Sequence, residues 1–163
     1  MAVYEVERYR NIALVGHTGS GKTTLAEALL FKTGVTNRLG SVTDRTSILD
    51  ASDEEKERQS SLESALCHFD HGRIHANVID TPGTAAFCGQ AIAALAAVEC
   101  AAVVVSAASG IQVNTRKMVE RARAYGLGVW LVVNHIDAAN ADLAALVGQL
   151  RETFGAACVP VNL

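Results

Sequence analysis

The stretch Gly16-His17-Thr18-Gly19-Ser20-Gly21-Lys22-Thr23 constrains this chain more than any other. An apolar run, Ile12-Ala13-Leu14-Val15, precedes it and reads as a short buried strand. Lys22 to Lys32 follows as a helix, with Leu25, Ala28 and Leu29 on one face and Gly34 as its stop. A strand, a glycine-rich turn ending in Lys-Thr and a helix together match G-x-x-x-x-G-K-[ST]. The glycines let backbone amides turn inward around an oligophosphate, and the helix that begins near Lys22 adds its dipole. Lys22 then reaches the β- and γ-phosphates, and the Thr23 hydroxyl coordinates Mg²⁺. His17, Thr18, Gly19, Ser20, Gly21 and Thr24 complete the nucleotide-contacting set.

The rest of the chain fits that nucleus. From Thr36 to Ser60 the periodicity vanishes in a long polar loop, and such loops are functional or mobile. Asp53 to Arg58 within it reads as a solvated charged stretch. Leu62 to Phe69 and Arg73 to Asp80 alternate around the turn Asp70-His71-Gly72, which predicts an antiparallel hairpin at a sheet edge. An Ala-rich helix follows Pro82-Gly83, then a strand over Val98 to Val105. Gln112 to Tyr125 reads as an amphipathic helix, Val129 to Val133 as a buried strand, and Ala141 to Phe154 as a helix capped by Asn140 and Gly155. Cys158 to Val161 is a candidate last strand. The expected fold is three-layer α/β of the P-loop NTPase type, with a mostly parallel sheet, one antiparallel edge hairpin and helices on both faces.

Composition narrows the function. With 163 residues, 50% of them hydrophobic and 19% charged, the chain suits one domain with a full core. A net charge of −3 argues against nucleic-acid binding through bulk charge, and no specific DNA partner is expected. Ala91 to Ala108 is apolar enough to raise a membrane span. Glu99 in its middle, the weak hydrophobicity of alanine and the change to Val103–Val105 favour a helix followed by a strand. The four cysteines form no C-x-x-C pair and read as reduced thiols in the cytoplasm. Cys67, His68, His71 and His75 cluster in the hairpin, but adjacent strand residues point to opposite faces, which disfavours zinc. Trp130 reads as core. Arg116, Lys117, Arg121 and Arg123 form a basic helix face, solvated or in contact with RNA.

Two further elements join the phosphate loop. Asp80-Thr81-Pro82-Gly83 ends a predicted strand, where a carboxylate contacts Mg²⁺ directly or through water and Gly83 offers its N–H to a γ-phosphate. Asn134-His135-Ile136-Asp137 ends another strand. In N-x-x-D the carboxylate accepts two hydrogen bonds from guanine N1–H and the exocyclic amine, and buried without them it would penalise adenine.

In order and spacing these motifs resemble the GTP-binding domain of translational GTPases, and above all that of elongation factor G. The tetracycline-resistance ribosomal protection proteins are near relatives. The resemblance extends to His17, Lys22-Thr23-Thr24, Leu29-Leu30-Phe31-Lys32-Thr33-Gly34, Glu57-Arg58, Phe87 and Ser109-Gly110-Ile111-Gln112. It implies GTP and GDP as ligands, Mg²⁺ held by Thr23, Ser61 and Asp80, and the ribosome as partner of the full-length protein. It also implies switch segments at Thr36–Ser61 and Gly83–Gln90, with Lys22, Gly83 and the residue at position 84 serving hydrolysis. The sequence departs from the family in four places. Thr84 replaces the histidine that orients the attacking water, which implies weak intrinsic hydrolysis. His135 replaces the lysine of the guanine motif, and its ring is placed to stack on the purine. Gly19 replaces an aspartate, and Arg58-Gln59-Ser60-Ser61-Leu62 replaces R-G-I-T-I. These changes suggest a divergent paralogue. Residues 1–163 read as one GTP-binding domain, monomeric, ending before the S-A-[KL] element and the domains that follow in the family. Three readings stay open: a ribosome-stimulated GTPase, a GTP-binding switch or protection protein with little hydrolysis, and, disfavoured by Asn134 and Asp137, an ATP-using enzyme.

Overall fold

The computed structural model describes residues 5–161. After a 3₁₀ turn at Val6–Arg8 the chain runs β1 (Tyr9–Gly16), α1 (Lys22–Lys32), α2 (Asp53–Arg58), β2 (Ala65–His71) and β3 (Ile74–Asp80). A second 3₁₀ turn, Ala85–Phe87, leads into α3 (Cys88–Leu95), β4 (Cys100–Ser106), α4 (Val113–Ala124), β5 (Gly128–Asn134) and α5 (Leu143–Phe154). The sheet has five strands in the order β2-β3-β1-β4-β5. β3, β1, β4 and β5 are parallel, and β2 joins β3 as the antiparallel edge hairpin that the alternation predicted. The apolar run Ala91–Ala108 divides into α3 and β4 as expected, and no helix among the described residues is long and apolar enough to cross a membrane.

Strand alternation divides the core in two. Ala13 and Val15 of β1 and Ala101, Val103 and Val105 of β4 face α3, α4 and α5. Leu14, Val78, Cys67 and Ala102 face the other way, against Ala26 and Leu30 of α1. The inward face of α1 is therefore not the predicted Leu25-Ala28-Leu29, which are only half-buried. The helix starts on the phosphate loop with Lys22 and Thr23 turned inward, and helical spacing from them brings Ala26, Glu27 and Leu30 inside.

Other expectations need correction. Trp130 is 63% exposed, because β5 is an edge strand. Val129, Leu131 and Val133 pack on the larger core, and Val132 alone of the opposite face packs on the smaller one. The cap of α5 is Asp142, whose side chain accepts from the Ala145 amide at 2.9 Å, in place of Asn140. Residues 158–161 form no strand. The stretch from Asp53 to Arg58 is a helix, because Ser52 and Glu55 form a reciprocal capping box worth about 1 kcal/mol. In the hairpin Cys67 faces the core and His68 faces solvent, and no group of three or more His, Cys, Asp or Glu among the described residues is placed to hold a metal. The basic face of α4 is partly used inside the fold. Arg123 donates to the Phe154 carbonyl at 2.6 Å with its guanidinium 5.9 Å from that ring centre, and Lys117 donates to Cys88 Sγ at 3.3 Å. Arg116 and Arg121 remain exposed.

A nucleotide cleft at the carboxyl ends of the parallel strands

Parallel strands bring their carboxyl ends to one edge of the sheet, which is where open α/β folds bind ligands. Leu14 pairs with Asp80 and Ser106 with Asn134, so the turns after β1, β3, β4 and β5 converge there. The cleft between them has a volume of about 250 Å³ and is lined by Thr18, Gly19, Gly21, Lys22, Thr23, Thr24, Ser61, Gly83 and His135, among others.

The phosphate loop is held from several sides. Gly21, at φ 84°, takes the left-handed conformation that leads into α1. A side chain there would collide with the Asn134 amide. Asn134 Nδ2 donates to the Ser20 carbonyl at 3.0 Å, so the turn after β5, expected to select the base, is tied directly to the phosphate loop. His17 Nδ1 lies 2.6 Å from the Thr18 carbonyl, which requires the proton on Nδ1, and Nε2 then accepts from Ser109 Oγ at 3.3 Å. Lys22 is buried and donates to the His17 carbonyl at 2.9 Å. Burial pulls its pKa down to about 8, against the opposing pull of Asp80. A phosphate chain would supply the negative charge that this buried ammonium lacks.

Hydroxyls and carboxylates meet beside Lys22. Thr23 Oγ1 donates to Asp80 Oδ2 at 2.6 Å and lies 3.0 Å from Ser61 Oγ, which itself donates to Asp50 Oδ1 at 2.7 Å. Asp80 Oδ1 and Asp50 Oδ2 are buried acceptors without a protein partner. Two orphaned carboxylate oxygens beside two hydroxyls form the hard oxygen donor set that suits Mg²⁺, so the residues present fit the ion. Thr23, Ser61 and Asp80 were expected here. Asp50 was not, because nothing in its local sequence marks it, and it is folded in through its amide on Ser47 Oγ and its carboxylate on Ser61 Oγ.

Burial pushes the Asp80 pKa up to about 6, with the Thr23 hydroxyl and Lys22 opposing and Asp50 adding to the rise. A raised carboxylate pKa means that the charged form is disfavoured in the folded domain, so its penalty grows as pH rises towards 6. A divalent cation needs that charged form. Mg²⁺ affinity measured in the presence of nucleotide is therefore expected to weaken as pH falls through about 6 by more than the nucleotide's own terminal phosphate accounts for, and Asp80→Asn is expected to bind weakly and to show the phosphate step alone. A parent chain whose pH dependence matches that of Asp80→Asn would refute the assignment.

The long loop is fastened to α1. Glu27 is fully buried, and its Oε1 accepts from Ser47 Oγ at 2.7 Å, the Ile48 amide at 2.7 Å and the Leu49 amide at 3.2 Å. Glu55 accepts from the Leu62 and Glu63 amides at 2.9 and 3.1 Å, and Gln90 accepts from the Ser64 amide at 2.7 Å while donating to the Leu62 carbonyl at 2.8 Å. Gln90, at the end of the second expected switch segment, is thus bonded to the residues that directly follow the first. None of these three anchors was legible as a site residue, since each is a polar side chain on a helix that sequence alone assigns to solvent.

Gly83 fits only as glycine. A Cβ there would stand 2.5 Å from the Thr18 amide nitrogen and 2.6 Å from Lys22 Nζ. Thr84 Oγ1 lies 3.2 Å from Thr18 Oγ1. The residues expected to select the base are less assembled. His135 sits at φ 56° with Nδ1 3.1 Å from Ser106 Oγ, and Asp137 is exposed, not buried as the sequence argument supposed, because it lies on the turn beyond the edge strand.

A P-loop nucleotide-binding domain is the class that this fold and cleft define. Its family follows from comparison: the chain belongs to the family described as the elongation factor Tu GTP binding domain, whose profile matches residues 7–161. It is similar to a crystal structure of a protein from Thermus thermophilus, with a TM-score of 0.86 and 39% identity over 90% of this chain and 22% of that one. It is also similar to the crystal structure of the bacterial selenocysteine-specific elongation factor EF-Sec, with a TM-score of 0.65 and 25% identity over 90% of this chain and 23% of that one. The chain therefore spans less than a quarter of either structure. The resemblance to translational GTPases read from the motifs stands.

Proposed function

We propose that this chain is the GTP-binding domain of an elongation factor G-like translation factor that binds GTP with Mg²⁺, hydrolyses it slowly and acts on the ribosome as part of a larger protein. The observation that carries this reading is the convergence of Lys22, Thr23, Asp80 and Ser61 in one cleft, with Asn134 bonded to the Ser20 carbonyl of the phosphate loop. Backbone amides of Gly19, Ser20 and Gly21, with Lys22, bind the phosphates, and His17, Thr18 and Thr24 border them. Thr23, Ser61 and Asp80 hold the ion, which when bound neutralises charge on the β- and γ-phosphates. Gly83 meets the γ-phosphate. Asp137 selects guanine, with His135 beside the base. GTP in place of GDP holds the two switch segments closed, and loss of the γ-phosphate frees them. The reading puts the protein in the cytoplasm, this domain being monomeric, with neither DNA nor a membrane as ligand.

Thr84 favours a second reading, a GTP-binding ribosome-associated switch with little hydrolysis even on the ribosome, or a ribosomal protection protein. Single-turnover hydrolysis with and without ribosomes separates the two.

Calorimetry with GDP, GTP and ATP, each with Mg²⁺, tests the first step. Guanine nucleotides are expected to bind and ATP to bind much more weakly. Asp137→Asn is expected to lose about 3 kcal/mol of guanine preference, roughly a hundredfold, since two hydrogen bonds to a carboxylate are removed. Equal affinity for ATP and GTP in the parent chain would sink the guanine assignment.

A further inference from the structure

Two hydroxyls join the phosphate loop to the segment after Asp80. Thr18 Oγ1 and Thr84 Oγ1 stand 3.2 Å apart. Thr18 lines the nucleotide cleft and also a second, more open cleft beside it, bounded by His17, Gly83, Ser106 and Asn114. It therefore stands where the two meet, at the phosphate end. Thr84 lines neither cleft and reaches the site only through Thr18. Its backbone is fixed next door, because Asn114 Nδ2 donates to the Gly83 carbonyl at 2.8 Å and Gly83 packs against the Thr18 amide and Lys22. Thr84 precedes the 3₁₀ turn at Ala85–Phe87 but makes no capping bond to it, so its hydroxyl serves Thr18 and not its own helix.

We propose that Thr84 is a positioning residue for hydrolysis, acting through Thr18: Thr84 holds the Thr18 hydroxyl at the phosphate end of the cleft, and that hydroxyl orients the attacking water. The proposal rests on the GTPase reading above. In the step, the water oxygen bonds to the γ-phosphorus and the bond from that phosphorus to the β,γ-bridging oxygen breaks. GDP and inorganic phosphate leave, and the water proton goes to the phosphate. Neither threonine is consumed. A paired hydroxyl is polarised by its partner and can accept a hydrogen from water while it stays bonded to Thr84. It is neutral and short, so it orients water without taking its proton, which fits slow turnover in a site whose chemistry is mostly positioning.

Valine is isosteric with threonine and removes only the hydroxyl. The test loads Thr18→Val, Thr84→Val, Thr84→Ser and the double valine variant with GTP and Mg²⁺, then follows one turnover while affinity is measured separately. Each single valine variant is expected to hydrolyse about tenfold more slowly at saturating GTP, and Thr84→Val, whose side chain lines neither cleft, to keep its GTP affinity within about threefold of the parent. Thr84→Ser is expected to keep the parent rate, and the double variant to be no slower than Thr18→Val, because the two hydroxyls act in series. Valine variants that bind GTP and hydrolyse it at the parent rate overturn the proposal, as do losses that multiply in the double variant. A parent chain that binds no GTP overturns the GTPase reading as well, and the affinity measurement distinguishes that failure from the first.

Discussion

Replacing Lys22 with alanine is expected to lower GTP affinity by about a hundred- to a thousandfold, roughly 3–4 kcal/mol, because in the proposed role the ammonium would make charge-assisted bonds to more than one phosphate oxygen. The same substitution is expected to leave the nucleotide-free domain no less stable at pH 7, and up to about 2 kcal/mol more stable. The two effects have opposite signs for one reason. Lys22 is 6% exposed, and burial has pulled its pKa down to about 8. A lysine whose folded pKa lies below its unfolded value carries a penalty that is fully present below the folded pKa and is relieved as pH rises from about 8 towards 10.5. Part of the gain from removing it is offset, since Asp80 loses the neighbouring charge that holds its own pKa down. Thermal unfolding without nucleotide and calorimetry with GTP and Mg²⁺ read the two effects. A large loss of stability in the free protein would mean that Lys22 is chiefly a structural group bonded to the His17 carbonyl.

Glu27→Ala is expected to destabilise the domain by about 2–3 kcal/mol, since it strands the Ile48 amide and the Ser47 hydroxyl and leaves the Leu49 amide with Ser47 Oγ as its acceptor. The damage should be local first. Ser47, Ile48 and Leu49 hang on Glu27, Leu49 inserts in the smaller core, and Asp50 bonds Ser61 next to Thr23. Loss of the anchor thus frees the residues that complete the ion site. Urea unfolding should register the stability change, and limited proteolysis should begin between residues 36 and 60. GTP affinity at low Mg²⁺ should fall with it, while Glu27→Gln, which keeps an acceptor, should behave close to the parent. An alanine variant with a protected loop and undiminished stability would refute the anchoring role.

Legibility from sequence was uneven for identifiable reasons. The phosphate loop was readable because a glycine turn between a strand and a helix has one well-defined use, and its residues are contiguous. The hairpin was readable because alternation has period two and Asp70-His71-Gly72 turns it. α2 carried its own signal in Ser52 and Glu55, but the charged run around it hid the capping box. Trp130 was misplaced because an aromatic in an apolar strand reads as core, and whether a strand is central or at the edge is a property of sheet order. Asp137 was placed in a buried site by the logic of base recognition, whereas it lies exposed on the turn beyond β5.

The sequence alone determined the class of fold, the order of its elements apart from α2 and the absent last strand, and the candidate phosphate loop, since each follows from local periodicity or a contiguous motif. Tertiary structure decided what those residues stand among. Only strand order puts Asp80 and Asn134 at the same sheet edge as the phosphate loop, and only the path of a long loop brings Asp50 and Ser61 to Thr23. Glu27 gains its anchoring role in the same way, and so does the pairing of Thr18 with Thr84. A hydroxyl or a carboxylate is anonymous in a sequence, and its chemistry is set by which partners lie within about 3 Å and by how much water the fold removes from around it.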